Sequence, residues 1–156
     1  MLDVLTKLFT RRNPRRDAED ALARIMNRSG MDLLEYQSGI STDRRSRNER
    51  HVVMGVWLFP CDAEESGETL DLHTGLLAVT HDLRGGGFGV LTPIALEQQH
   101  FAVAALDEHW QFFRCVVRHN TRKPGGWYHL GMEVERTLSL DSEQLNAFSV
   151  HAESLQ

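Results

Sequence analysis

Hydrophobic positions along this chain fall into two textures, helical at both ends and alternating between them. Near the start, Leu2, Leu5, Leu8 and Phe9 sit close to helical spacing and read as a short helix covering the body or a neighbour, with a frayed helix, a partner-binding stub or a weak membrane-surface anchor as the alternatives. Asn13-Pro14 is a helix start: asparagine caps the first turn and proline fits the first helical position. Asp17, Glu19 and Asp20 suit the positive end of the helix dipole, and Ala18, Leu22, Ile25 and Met26 form an apolar stripe. With Gly30 as a C-terminal cap, the pattern predicts a helix over about 14–28. The polar stretch 38–48 has no periodicity and reads as a linker.

From His51 onward the period changes to two. Strands are predicted over 52–59, 76–82, 88–92, 100–106, 110–119 and 128–135, the last with Leu130, Met132 and Val134 on one face. Residues 60–74 are acidic and turn-like, with Leu70 and Leu72 able to extend a short strand, and 120–126 is a hairpin loop. Short strands at this regular spacing indicate a small sandwich or closed barrel. No segment between them is long enough for a crossover helix, so the sheet is mainly antiparallel. At the end, Asp141 with Gln144 resembles a capping box, and Leu145, Phe148, Ala152 and Leu155 line one helical face. This helix is expected over an open end or flank of the barrel. The expected division is a helical extension and linker over 1–40 and a strand domain with its closing helix over 41–156.

The centre of the pattern is THDLRGGGFGVLT at 80–92, a strand, a bend with Gly85, Gly86 and Gly87, and a second strand. Asp82 stands at the mouth of the bend. Glycines in succession are used where φ is positive or where something approaches the backbone closely.

Charge changes this picture in one respect. The net charge of −5 conceals a basic first third: residues 1–50 hold eleven Lys and Arg against eight Asp and Glu, whereas 51–156 hold six against fourteen. The excess is concentrated in Arg11, Arg12, Arg15 and Arg16, and in Arg44, Arg45, Arg47 and Arg50. Such clusters attract phosphates. The acidic body argues against duplex nucleic acid as a partner, which needs a basic face. There is no apolar run of membrane-spanning length and no signal-peptide pattern, so a cytoplasmic location is the expectation. Cys61 and Cys115 form no CxxC pair and read as reduced, Cys115 as plain core.

Catalytic motifs do not emerge. The eight histidines show no HxH or HExxH spacing, which argues against a metal site. There is no GxSxG elbow, and the glycine bend lacks P-loop spacing and a following helix. No enzyme activity and no cofactor are expected. The combination with chemical content is an arginine cluster leading into the first strand plus an Asp–Gly turn. Arginine forks bind phosphates and guanine O6 and N7, and an aspartate accepts from guanine N1 and N2. A solvated linker beside an ordinary glycine hairpin accounts for the same residues without a ligand.

These residues resemble the PilZ domain family, which has an arginine linker of pattern RxxxR before the first strand and a D/NxSxxG motif between two strands. Here DRRSRNER at 43–50 precedes the strand at His51, although no two of its arginines stand in RxxxR spacing. Asp82-Leu83-Arg84-Gly85-Gly86-Gly87 matches the second motif with Arg84 in place of serine, and Val116-Val117-Arg118 and Leu130-Gly131-Met132-Glu133-Val134 match the closing strands. The resemblance covers about 44–136. It implies a mainly β, six-stranded antiparallel barrel with an N-terminal helical extension and a C-terminal helix. It also implies cyclic di-GMP as ligand, held by Arg44, Arg45, Arg47, Arg50, Asp82, Arg84 and Gly87, with the linker moving the helix before it. Some members of the family bind no nucleotide and act as interaction modules, here through the N-terminal helix or a barrel face toward an unidentified protein partner. The direction of Arg84 separates the two: a guanidinium set on Asp82 and covering the turn would block the pocket.

Overall fold

Each run with period two becomes a strand, and the strands close on one another. The computed structural model describes residues 54–64, 68–84 and 86–154. The expected helix over 14–28 and the arginine linker lie outside the described residues. The strands are β1 (Gly55–Pro60), β2 (Leu76–Arg84), β3 (Gly87–Thr92), β4 (His100–Leu106), β5 (Trp110–Arg122) and β6 (Tyr128–Leu138). They form a closed barrel in the order β1-β2-β3-β6-β5-β4, with every neighbouring pair antiparallel. Closure gives each strand a neighbour on both sides, although the ends of β2 and β5 run past their β1 and β4 partners.

The interior is filled from every strand. Val56, Leu58, Ala78, Leu83, Phe88, Val90, Phe101, Val103, Phe113, Cys115, Leu130, Met132 and Val134 pack into one cluster. The single face expected for Leu130, Met132 and Val134 is this inner one. Burial, with the Glu135 charge adding to it, pushes the Cys115 thiol well above its ordinary value, so it serves as apolar filling.

A second apolar cluster lies outside the barrel. Trp57, Phe59, Ala102, Ala104, Phe112 and Leu138 project from the outer faces of β1, β4, β5 and β6, and Phe148 and Ala152 of the terminal helix α1 (Ser142–Glu153) cover them. The helix begins as predicted: the Asp141 side chain accepts from the Gln144 backbone N–H at 2.8 Å. Gln144 does not complete the reciprocal box. Its Oε1 accepts instead from the Leu70 N–H at 3.3 Å, tying the 60–74 connection to the helix.

Three expectations need adjusting. The 60–74 connection contains a short 3-10 turn at Leu72–Thr74 and not a strand. β5 and β6 extend further than their sequence pattern suggests, to Arg122 and Leu138, because they pair with each other over ten registered positions. The positive-φ glycines among the described residues are Gly125 and Gly126, in the β5–β6 turn, and not Gly86 or Gly87.

Candidate functional site

The glycine bend belongs to a glycine-paved patch on the barrel's outer face, opposite in character to the face under α1. Its construction depends on a bulge. Ala78 and Thr80 are buried on the inner side of β2, so strict alternation would turn Asp82 inward as well. The register instead slips between Thr80 and Asp82: Thr80 pairs with Val90, and Asp82 pairs with Gly89. The extra residue, His81, shifts the phase, so Leu83 enters the core and Asp82 lies on the outer face. A second slip, between Val117 and His119 on β5, does the same for His119, which stands opposite Gly131 of β6.

One row across four strands therefore reads Asp82, Gly89, Gly131, His119. The glycines make room for the two side chains. A Cβ on Gly89 would meet the Asp82 carboxylate at 2.5 Å, and one on Gly131 would run into the His119 ring. In the next row Gly87 pairs with Arg84 and Glu133, and a Cβ there would collide with the Met132 carbonyl. Of the bend glycines, Gly87 is thus needed for close approach and not for a left-handed backbone, whereas a Cβ on Gly86 would meet open space. The turn itself is fastened by Val134, whose N–H donates to the Gly86 carbonyl at 2.8 Å.

Asp82 is 2% exposed. His81 Nδ1 lies 3.1 Å from its Oδ2, His129 Nε2 lies 3.7 Å from the same oxygen, and Arg84 Nε lies 3.5 Å from Oδ1. The guanidinium of Arg84 thus stands beside Asp82 at ion-pair distance, and its side chain remains 53% exposed. Neither Asp82 Oδ1 nor His129 Nε2 has a hydrogen-bond partner among the described residues, although both atoms are buried. Leaving such groups unsatisfied costs on the order of 1–3 kcal/mol each. The His81 and His119 rings both lean on His129, with centroids 5.3 and 5.4 Å away. Burial pushes His129 below the ordinary imidazole value. The Asp82 carboxylate opposes that shift, and His81, His119 and Lys123 reinforce it.

Of the residues singled out from sequence, Asp82, Arg84 and Gly87 are together on this face, while Arg44, Arg45, Arg47 and Arg50 lie outside the described residues. The histidine group at 81, 119 and 129 was not anticipated, because its spacing along the chain matches no motif. The available signal was a change of phase: Ala78 and Leu83 cannot share the inner face of β2 without an extra residue between them.

Comparison with known proteins gives little further definition. No protein-family model matches the chain, and no curated protein does. Among solved structures it is similar to the Bacillus subtilis inhibitor of motility (MotI/DgrA), with 16% identity and a TM-score of 0.43, over 73% of this chain and 52% of that one. The chain spans about half the length of that protein. The class defined by its own coordinates is a closed six-stranded antiparallel barrel with a helix on one outer face and a glycine-paved polar patch on another.

Proposed function

We propose that the chain is a non-enzymatic PilZ-like receptor that takes cyclic di-GMP on the glycine-paved outer face. In this reading Arg44, Arg45, Arg47 and Arg50 clamp phosphates and guanine faces from the linker. Asp82 accepts from a guanine edge, Arg84 turns from Asp82 to a phosphate, and Gly87 lets the ligand lie against the backbone. The observation that carries it is the state of Asp82. Its carboxylate is held on the outer face by a bulge, above a glycine, and Oδ1 lacks a hydrogen-bond donor among the described residues. An acceptor in that condition is matched by the paired N–H donors of guanine. The order of motifs, arginine linker, then first strand, then Asp–Gly turn between β2 and β3, supports the choice of ligand.

A second reading is favoured by one contact. Arg84 already lies 3.5 Å from Asp82, so the turn is partly covered. A PilZ-like module that binds a protein partner and no nucleotide would need no opening there. Calorimetric titration of the chain with cyclic di-GMP separates the two. Saturable heat, weakened about tenfold or more by Arg50→Ala, is expected for the receptor, since charge-assisted contacts contribute about 1.5–3 kcal/mol each. Absence of heat at high micromolar ligand rejects it in favour of the interaction module.

A further inference from the structure

We propose that His81, Asp82 and His129 form a binding site for a divalent transition-metal ion of the zinc type. Each of the three residues offers one ligand atom, and these atoms lie within 4.8 Å of one another. Zinc held at about 2.0–2.2 Å by tetrahedral ligands needs ligand atoms roughly 3.3–3.6 Å apart. The separations of 3.1 Å from His81 Nδ1 to Asp82 Oδ2, a hydrogen bond that an ion would replace, and 3.7 Å from His129 Nε2 to the same oxygen bracket that requirement, and the two imidazole nitrogens lie within 4.8 Å of each other.

Two further observations point to an ion. His129 Nε2 is buried, and it has no hydrogen-bond partner among the described residues. Asp82 is almost wholly buried, and its Oδ2 is the oxygen that both histidines face. A cation on this side of the carboxylate would satisfy His129 Nε2 directly. The donor set, two imidazole nitrogens and one carboxylate oxygen, suits zinc and its first-row neighbours rather than calcium or magnesium, which take oxygen ligands.

The ligands are also on rigid supports. His81 is the bulge residue of β2, Asp82 follows it, and His129 is on β6, so an ion would clamp these strands across β3. Arg84 is on the other carboxylate oxygen and half exposed, so it does not stand between the three ligand atoms. With three protein ligands, positions remain for water. The His119 ring packs on His129 and lies over Gly131.

The test uses the full chain, stripped with a chelator and titrated with Zn²⁺ in the absence of nucleotide. One equivalent is expected to bind saturably and to raise the thermal midpoint. Co²⁺ at the same site is expected to give the intense visible absorption of a low-coordinate ion. His129→Gln and Asp82→Asn should each weaken binding about tenfold or more, as disturbing a metal's ligand shell does. His73→Ala, an exposed histidine outside the group, should leave it unchanged. His81→Gln alters an exposed side chain, so it keeps the test decisive if a buried variant fails to fold. Failure to take up one equivalent, or uptake that survives the His81→Gln/His129→Gln double change in a folded chain, overturns the proposal. Because nucleotide is absent, the result stands apart from the cyclic di-GMP titration.

Discussion

The two outer faces of this barrel lie on opposite sides of one closed sheet and follow opposite side-chain logic. On the β1-β4 side, large rings alternate with small residues: Trp57 and Phe59 flank a floor containing Ala102 and Ala104, and Phe148 of α1 fills the space above. Phe148 meets Phe59, Trp110 and Phe112 edge-on at centroid distances of 5.9, 4.8 and 5.1 Å. On the β2-β3-β6 side, the small residues are glycines, and what lies over them is a carboxylate and imidazoles. The first face is completed by the chain itself. The second keeps two polar atoms, Asp82 Oδ1 and His129 Nε2, buried without hydrogen-bond partners among the described residues, against one on the first, His151 Nε2 beside Trp57. A barrel spends its interior on stability, and the outer faces then divide between a covered one that adds to stability and an open one that carries polar chemistry.

The covered face should break first and hardest. Phe148→Ala removes a fully buried ring from an aromatic cluster, and the expected loss is about 3–5 kcal/mol. Urea denaturation followed by tryptophan fluorescence measures it, since Trp57 and Trp110 lie in the same cluster. A loss under about 1 kcal/mol would mean that α1 is not an integral part of the domain.

On the open face the glycines are predicted to differ from one another. An added methyl at Gly87 meets a backbone carbonyl, that of Met132, which is fixed in the β3–β6 ladder. At Gly131 the obstacle is the ring of His119, an exposed side chain that can rotate aside. Gly87→Ala should therefore cost about 1–3 kcal/mol, the range for forcing atoms into packed structure. Gly131→Ala should cost less than about 0.5 kcal/mol, as for surface changes. Equal losses in the two variants would show that the row at His119 is as rigid as the ladder.

Much of the fold was legible because alternation is a local property. The order and type of the six strands, the antiparallel sheet and the capped terminal helix all follow from patterns readable within a dozen residues. The strand at His100–Leu106 matches its predicted limits at both ends. The site was less legible because it depends on register. Asp82 and Gly87 could be marked from the turn, but the histidine group required knowing that Asp82 faces Gly89 and His119 faces Gly131. Those pairings are set by bulges at His81 and Arg118, each a single residue that reverses which side of the sheet its successors occupy. Nothing in the local composition of THD or VRH distinguishes a bulge from regular strand. Only the inconsistency of the apolar phase on either side of it does so.

The smallest expected effect concerns protons on the open face. His129 is held below its ordinary value chiefly by burial, so the folded chain prefers it neutral while the unfolded chain protonates it near pH 6.5, roughly the unperturbed value. Above that pH both states are neutral at this residue and it contributes no pH dependence. As pH falls below it, the unfolded state takes up a proton that the folded state resists, so stability declines until the lower folded value is passed. The Asp82 carboxylate limits the size of the effect by favouring the charged ring. Denaturation midpoints compared between about pH 7.5 and pH 5.5, a window spanning the ordinary imidazole range, should drop more for the natural chain than for His129→Gln. The covered face offers the internal contrast: the pH-dependent part of the drop should persist unchanged in a mild α1 variant such as Val150→Ala, whose side chain is 68% exposed. If His129→Gln loses stability over this window as steeply as the natural chain, the buried imidazole is not the group that makes the open face sensitive to acid.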